Sequence, residues 1–299
     1  MINYSKPVIV IAGPTVTGKS SLAIKLAKDI NGYIINADSR QVYKELRIGT
    51  AQPVPDIVKD DVWYINGVKH YLYGHVSAKK RYNLYQYQKD VQRALDKKNG
   101  IPVLVGGTGL YIDCIVYNYK LKQNEYFSTE YSREELEKMS VKELQAKLEK
   151  ETLEKLNSSD RNNPVRLIRA IERGGVNREK GEVLNHLYTV VDIEDNELKE
   201  RISKRVDLMV EQGLVEEVKD LLDNGFNFEM SAMQSIGYRE FDGYFEKNKT
   251  LEQVKDEIVL HTIQYSKRQR TWFKRNRNIV KVDGYKNLYE EALKFLSIS

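Results

Sequence analysis

PVIVIAGPTVTGKS, residues 7–20, is the stretch of sequence that decides the fold of this 299-residue chain. Residues 7–12 form a continuous apolar run of strand length, and residues 13–20 match the pattern G-x-x-x-x-G-K-[ST] of nucleotide-binding, ATP-binding-like P-loops. A helix is predicted to follow over residues 19–30. The glycines allow backbone N–H groups to surround an anion, and the helix N-terminus adds a favourable dipole. We therefore predict that residues 13–20 bind phosphate groups.

Two side chains of this loop strengthen the interpretation. Lys19 supplies a mobile positive charge, and the Ser20 hydroxyl is a suitable ligand for a Mg²⁺ ion that bridges two phosphates. An ordinary helix that happens to begin with Gly-Lys-Ser is the structural alternative. The loop alone leaves open whether the phosphates belong to a nucleotide.

The first third of the chain alternates strands and helices. Residues 33–36 and 102–105 have the pattern of short buried strands, and residues 83–98 have the pattern of a helix. This alternation is typical of a parallel sheet covered by helices on both faces. The predicted fold class is α/β, a P-loop NTPase-like parallel sheet flanked by helices.

A polar, helical section interrupts this pattern. Capping-box patterns begin at Ser132 and Ser140, and Asn163-Pro164 pairs a helix cap with a first-turn proline. We predict a helical insertion domain over residues 118–187 and a catalytic core made of residues 1–117 and 188–299. Further core elements are predicted in a strand at 188–193, helices at 195–211, 214–223 and 251–275, a strand at 278–282 and a final helix.

The composition narrows the class of protein. Cys114 is the only cysteine, which excludes an internal disulfide and a cysteine-cluster zinc site, and the four histidines lack metal-ligand spacing. No run of the sequence approaches the roughly 18–20 apolar residues of a membrane span. We expect a cytoplasmic monomer with no membrane partner.

Positive charge is concentrated near the C-terminal end. The formal net charge is +5, but residues 258–282 contain seven Lys and Arg and no Asp or Glu, which leaves −2 for the rest. Along the helix at 261–277, one stripe is apolar and predicted to face the core. The opposite stripe is cationic, with Lys267, Arg270, Lys274 and Arg277. Such a ridge favours RNA phosphates over a small-molecule substrate. Arg166 and Arg169 add cations from the insertion, with an ordinary solvated face as the alternative.

Two polar side chains are expected close to the phosphate loop. Asp38 follows the second predicted strand, and Thr108 lies in VGGTGLY, residues 105–111, after the strand at 102–105. The carboxyl ends of adjacent parallel strands converge on one ligand crevice. Asp38 would then be a Mg²⁺ ligand, a general base or a turn cap, and Thr108 would face the crevice or mark close packing. Together with Lys19 they indicate phosphate transfer or departure, which a kinase would also need.

An ordered set of motifs resembles the tRNA dimethylallyltransferases, also called tRNA isopentenyltransferases. The matching segments cover nearly the whole chain: GPTVTGKS at 13–20, DSRQVY at 38–43, IGTA at 48–51, VGGTGLY at 105–111, R-x-x-RAIE at 166–172, RVDLMVEQGLVEEV at 205–218, QSIGYRE at 234–240 and SKRQRTWFKR at 266–275. DSRQVY with IGTA separates this family from the kinases.

The resemblance implies a prenyltransferase that moves a dimethylallyl group from dimethylallyl diphosphate to N6 of the adenosine just 3′ of the anticodon in tRNA, releasing diphosphate. It implies that Asp38 accepts the N6 proton and that Thr108 and Arg205 complete the catalytic set. The implied diphosphate site consists of Gly13, Pro14, Thr15, Thr17, Gly18, Lys19 and Ser20, with Mg²⁺ on Ser20. The implied contacts to the tRNA anticodon arm are Ser39, Arg40, Gln41, Val42, Tyr43, Gln234, Arg166, Arg169, Lys267, Arg268, Arg270 and Lys274.

One feature departs from the family pattern. Where the family has a His-Leu-Ile-Asp stretch followed by Pro, this chain has VKHYLYGHVSAKKRYN at 68–83 and retains His70 and Leu72. We also expect a bacterial-type enzyme, which would lack the C-terminal zinc-binding extension of eukaryotic members. The alternatives are a prenyltransferase for free adenine nucleotides, a P-loop small-molecule kinase, and an RNA-binding protein with a degenerate nucleotide site.

Overall fold

The computed structural model describes residues 1–96, 100–121, 131–173 and 179–298, apart from the side chain of Arg173. The contacts between residues divide the chain into two compact units. The larger unit consists of Ile2–Asn118 and Val183–Ser299, and the smaller one of Tyr119–Glu182 with Met1.

An eight-stranded sheet forms the centre of the larger unit. Its strands are β1 (Val8–Ala12), β2 (Gly32–Asn36), β3 (Ile57–Lys59), β4 (Val62–Ile65), β5 (Val68–Tyr71), β6 (Ile101–Gly106), β7 (His186–Val191) and β8 (Val280–Val282). The order across the sheet is β3-β4-β5-β2-β6-β1-β7-β8. In the part of the sheet with the order β5-β2-β6-β1-β7-β8, each strand is parallel to its neighbours, as the alternating sequence pattern predicts. All five residues of β1 are buried, because the strand lies in the middle of the sheet with both faces covered.

One edge of the sheet differs from the prediction. The strands β3, β4 and β5 pair antiparallel, so the sheet is mixed and not wholly parallel. Their turns contain Asp60-Asp61 and Asn66-Gly67, all four with positive φ angles, as two-residue hairpin turns require. The Asn66-Gly67 pair between two apolar runs was the signal in the sequence that indicates this hairpin.

The larger unit contains the helices α1 (Lys19–Asp29), α2 (Leu84–Asp96), α3 (Gly109–Val116), α9 (Asp195–Glu211), α10 (Leu214–Asp223), α11 (Leu251–Phe273) and α12 (Tyr285–Ile298). Helices α1, α3 and α12 pack on the strands, whereas α9, α10 and α11 pack together around a second apolar cluster. The predicted spans of α9 and α10 agree with the structure, and α11 ends two residues before the predicted 275. The last residues of the predicted helix 83–98, 97 and 98, lie outside the described part of the chain. None of the described helices combines the length and the apolar character needed to span a membrane.

The smaller unit is built from short helices. They are α4 (Arg133–Glu137), α5 (Val141–Ala146), α6 (Lys150–Lys155), α7 (Ser158–Arg161) and α8 (Pro164–Arg173). Both capping boxes, at Ser132 and Ser140, are formed as their sequence patterns predict. An apolar cluster holds the helices together: Leu136, Leu144, Leu156, Leu167, Ile168 and Ile171. This unit begins one residue after the interval 118–187 named from the sequence, and ends five residues earlier.

Candidate active site

The phosphate loop takes its shape from two glycines. Gly13 has a φ angle of +146°, and a Cβ atom there would lie 2.1 Å from the carbonyl oxygen of Val191. Gly18 has a φ angle of +85° and occupies the N-cap position of α1 in the left-handed conformation. Within the loop, the hydroxyl of Thr17 donates to the carbonyl of Pro14 at 3.0 Å. The chain therefore leaves β1 and enters α1 through a turn that side chains at these two positions would disrupt.

Lys19 is the charged group of this loop. Its ammonium donates to the carbonyl oxygen of Pro14. Burial lowers the pKa of Lys19 to about 7, although the nearby Asp38 carboxylate favours the charged form. Lys19 is half-buried and forms no salt bridge among the described residues, so its ammonium is prepared to receive an anion. Ser20, the next residue, is exposed in the first turn of α1.

Asp38 lies just beyond the carboxyl end of β2. Its backbone N–H donates to the side-chain oxygen of Asn36 at 2.9 Å, and its Oδ1 accepts the backbone N–H of Arg40 at 2.8 Å. The turn-capping role considered from the sequence is therefore present. The second carboxylate oxygen has no hydrogen-bond partner among the described residues, and Asp38 lines a cavity. One oxygen of Asp38 thus positions the group while the other is available to a substrate.

Thr108 adjoins Asp38 from the neighbouring strand end. Its Oγ1 accepts the backbone N–H of Ser39 at 3.0 Å and lies 3.3 Å from the Ser39 hydroxyl oxygen. A Cβ on Gly106 would lie 2.2 Å from the carbonyl oxygen of Ala37, so this strand end needs a glycine for the close approach. Both interpretations of the second glycine-rich turn therefore hold, since it packs tightly and also presents Thr108 to the cavity.

A half-buried arginine completes the polar part of the site. Arg205, on α9, donates to the Thr15 hydroxyl at 2.9 Å and lines the same cavity as Asp38 and Thr108. Burial lowers the pKa of Arg205, and the Asp38 carboxylate partly opposes this effect. An arginine remains charged after such a shift, so it supplies a fixed positive charge beside the phosphate loop.

The cavity encloses about 390 Å³ and has both polar and apolar walls. Besides the residues above, its polar lining includes Arg239, Thr262, Tyr265 and Arg268. Its apolar lining comprises Ile202, Val206, Met209, Ile236 and Ile258. Sequence reasoning did not identify Arg239 or the apolar wall, because these residues come from segments far apart in the chain.

A half-buried carboxylate holds the IGTA segment against the cavity. Glu217, on α10, accepts the backbone N–H groups of Ile48 at 2.9 Å and Gly49 at 3.3 Å. It also accepts the hydroxyl hydrogen of Tyr238, which in turn accepts the N–H of Gly49 at 3.1 Å. A Cβ on Gly49 would lie 2.5 Å from the Tyr238 ring. The IGTA and QSIGYRE motifs therefore form one packed unit that fixes a wall of the cavity.

The helix α11 links the two glycine-rich turns. Gln269 is buried, accepts the backbone N–H of Thr15 at 3.1 Å and donates to the carbonyl of Gly107 at 2.9 Å. One amide side chain therefore connects the phosphate loop to the turn that carries Thr108. This contact also agrees with the prediction that the stripe of α11 containing Gln269 faces the core.

The structure divides the residues expected to contact tRNA. Ser39, Arg40, Gln234 and Arg268 line the cavity. Val42 and Tyr43 are buried in the fold, and the Gln41 amide donates to the carbonyls of Thr50 and Ala51 at 2.9 Å each. The interval 39–43 therefore contributes only its first two side chains to the cavity, because the chain turns inward after Arg40.

One member of the expected cationic ridge is paired with acids. Arg270 forms salt bridges with Asp192 at 2.8 Å and with Asp195, so the prediction of a ridge without acidic partners is wrong at this residue. Its guanidinium instead ties α11 to the segment after β7. Lys267 and Lys274 are exposed and form no salt bridge among the described residues, and Arg166 lies 3.8 Å from Asp160. Arg169 lies on α8 in the smaller unit.

The chain is similar to known proteins in sequence and in structure. A sequence model of the IPP transferase family matches residues 41–276. The tRNA dimethylallyltransferase of Natranaerobius thermophilus is 35% identical, over 93% of this chain and 87% of that protein. The crystal structure of the tRNA isopentenylpyrophosphate transferase of Bacillus halodurans is similar with a TM-score of 0.71 and 31% identity, over 98% of this chain and 96% of that one. A structure of a eukaryotic dimethylallyltransferase acting on tRNA is similar with a TM-score of 0.73 and 25% identity, over 97% of this chain and 77% of that one. The resemblance stated from the motifs is confirmed, and the chain belongs to the IPP transferase family.

Proposed function

We propose that this protein transfers a dimethylallyl group from dimethylallyl diphosphate to N6 of the adenosine 3′-adjacent to the anticodon in tRNA, with release of diphosphate. The observation that carries the proposal is the cavity that joins Asp38 to Thr15, Thr108 and Arg205, with an apolar wall beside them. Membership of the IPP transferase family and the similarity to a dimethylallyltransferase acting on tRNA support the choice of reaction.

The leaving group would be held by the phosphate loop. As the bond between the prenyl carbon and the diphosphate oxygen breaks, negative charge develops on the diphosphate. The backbone N–H groups available in the phosphate loop, the Lys19 ammonium and the Arg205 guanidinium supply compensating positive charge close to that position. The groups are fixed before the reaction begins, so little reorganisation is needed.

A Mg²⁺ ion fits this site through the Ser20 hydroxyl. No cluster of three or more His, Cys, Asp or Glu that would hold a metal exists among the described residues. Mg²⁺ usually takes one or two protein ligands together with substrate phosphates and water, which suits the exposed Ser20 at the start of α1. When bound, the ion would neutralise charge on the diphosphate.

Asp38 would act on the nucleophile. The N6 nitrogen of adenine attacks the first carbon of the dimethylallyl group, the carbon–oxygen bond breaks, and the bonding electrons leave with the diphosphate. The N6 proton passes to the carboxylate oxygen of Asp38 that has no partner in the described chain. The adenosine must first leave its stack, which costs about a few kcal/mol repaid by contacts within the cavity.

The apolar wall would receive the prenyl chain. Ile202 and Val206 belong to α9, as does Arg205, so one helix presents both a cation for the diphosphate and aliphatic side chains for the prenyl group. Burial of five prenyl carbons contributes roughly 3–4 kcal/mol at about 0.8 kcal/mol per carbon. The same wall would exclude water from the reacting carbon.

The anticodon arm would contact cationic side chains outside the cavity. Lys267 and Lys274 are exposed, and Arg166 and Arg169 lie on α8 of the smaller unit, so phosphate contacts from these residues remain part of the proposal.

A cytoplasmic location and a monomeric state also belong to the proposal. Light scattering during size-exclusion chromatography tests the monomeric state.

A labelling experiment tests the reaction. The protein is incubated with labelled dimethylallyl diphosphate and Mg²⁺, with either unmodified tRNA or AMP as acceptor and without ATP. We expect label in tRNA, at the adenosine 3′-adjacent to the anticodon, and an Asp38→Ala variant serves as the inactive control. Label in AMP but not in tRNA would contradict the proposal, and ATP hydrolysis as the main activity would favour the kinase alternative.

A further inference from the structure

A second cavity, of about 450 Å³, shares no residue with the catalytic cavity. Its lining contains four cations, Lys44, Lys80, Lys89 and Arg93, and a single acid, Asp90. We call these four cations and the space between them the cationic cleft. Several of its other wall residues come from the stretch at 68–83, where this chain departs from the pattern of its family.

The acid in the cleft is already occupied. The Asp90 carboxylate accepts the Tyr82 hydroxyl at 2.8 Å, pairs with Arg93 at 2.7 Å and lies 3.4 Å from the His75 ring nitrogen. Although burial alone would raise the pKa of Asp90, the contacts from His75 and Tyr82 hold it below its usual value. Asp90 therefore organises the floor of the cleft and does not neutralise its lysines.

The three lysines retain their positive charge toward solvent. Lys44, Lys80 and Lys89 are exposed, and none forms a salt bridge within the part of the chain that the structure describes. Glu45, the neighbouring acid in sequence, is occupied by other donors, because its carboxylate accepts the Ser77 hydroxyl at 3.1 Å and the backbone N–H of Ala78 at 2.7 Å. The cleft consequently attracts anions.

The cleft is joined by backbone hydrogen bonds to the segment that follows Asp38. The backbone N–H of Lys44 donates to the carbonyl of Val76 at 2.8 Å, and Tyr43 pairs with Val76 in a parallel bridge. Lys44 follows Asp38 by six positions in the chain, so their Cα atoms are at most about 20 Å apart. One RNA stem and loop is long enough to contact both places at once.

We infer that the cationic cleft binds backbone phosphates of the tRNA whose adenosine enters the catalytic cavity. The inference rests on the proposed function, since tRNA is the polyanion concerned. The long, exposed side chains of lysines suit the successive phosphates of a polymer. Contacts between lysine and backbone phosphate contribute affinity that does not depend on the base sequence. A small anion held tightly would need enclosing backbone N–H groups like those of the phosphate loop, whereas the cations of the cleft are all exposed.

Charge-removing and charge-preserving variants of the full-length protein test the inference. The triple variant K44Q/K80Q/K89Q removes three charges, and K44R/K80R/K89R keeps them. The matched control K6Q/K286Q/K294Q removes three charges from exposed lysines elsewhere in the chain. Binding of unmodified tRNA is measured by filter binding between 50 and 200 mM salt, and circular dichroism confirms that each variant is folded.

We expect the glutamine variant of the cleft to bind tRNA about 10- to 100-fold more weakly, with a salt slope smaller by about 2–3. The arginine variant should bind tRNA with a salt slope close to that of the unaltered protein. The matched control variant should also show the salt slope of the unaltered protein. Equal slopes in the cleft and control variants would overturn the inference. An unaltered protein that transfers no prenyl group to tRNA would instead contradict the proposed function.

Discussion

Lys19 should couple the binding of the prenyl donor to the uptake of a proton. In the free protein its pKa is lowered from 10.5 to about 7, mainly by burial, which corresponds to a charging cost of about 5 kcal/mol. A diphosphate bound in the loop favours the charged ammonium and raises this pKa again. Above about pH 7 the protein must therefore gain a proton at Lys19 when the donor binds.

The size of the effect follows from the fraction of the protein in which Lys19 is charged. With a pKa of about 7, this fraction is about one half at pH 7 and about one hundredth at pH 9. The apparent dissociation constant of dimethylallyl diphosphate should therefore rise roughly 50-fold over this range. Isothermal titration calorimetry without tRNA, in buffers that differ in ionisation enthalpy, measures both the constant and the proton uptake.

A Lys19→Arg variant provides the control. Arginine keeps its charge throughout this pH range, so its dissociation constant should change little between pH 7 and pH 9. Any slope that the two proteins share comes from ionisation of the ligand. The reasoning is refuted if the unaltered protein binds the donor equally well at both pH values, or if both proteins show the same slope.

Three further predictions concern other parts of the site. Asp38→Asn should lower the rate of transfer by about 10²–10⁴-fold, while gel-shift assays still detect tRNA binding; an equal loss of binding would argue against the role of base. Glu217→Ala should lower the free energy of unfolding in urea by about 2–4 kcal/mol, because it leaves the Tyr238 hydroxyl and N–H groups of the IGTA segment unpaired, and Glu217→Gln should cost less. Gly13→Ala should abolish binding of dimethylallyl diphosphate in calorimetry, because its Cβ would meet the Val191 carbonyl, whereas Gly284→Ala, with nothing within 4 Å, should bind normally.

The central part of the site was predictable because it depends on local order along strands. The phosphate loop and Asp38 each follow a buried parallel strand, and such strands end at one edge of the sheet. The family pattern added Arg205, whose position on α9 no local rule gives. The predicted roles of these residues in catalysis await the experiments above.

Other features depend on contacts that local sequence does not specify. The burial of Val42 and Tyr43 follows from the inward turn after Arg40, and the pairing of Arg270 follows from the place where α11 meets the segment after β7. Similarly, the sequence predicts that Glu217 is an ordinary exposed helix residue, whereas in the structure its carboxylate accepts backbone N–H groups of the IGTA segment. Each of these contacts joins residues whose approach is decided by packing, so a periodic pattern cannot reveal them.

The contact between Gln269 and Thr15 also bears on how the protein matures during synthesis. These two residues are separated by 254 positions, and Gly107 is 162 positions from the same glutamine. A nascent chain that has emerged only as far as α10 carries both glycine-rich turns but lacks the side chain that joins them. The two turns should therefore be joined only after α11 has left the ribosome, so that the phosphate loop reaches its final geometry late in synthesis.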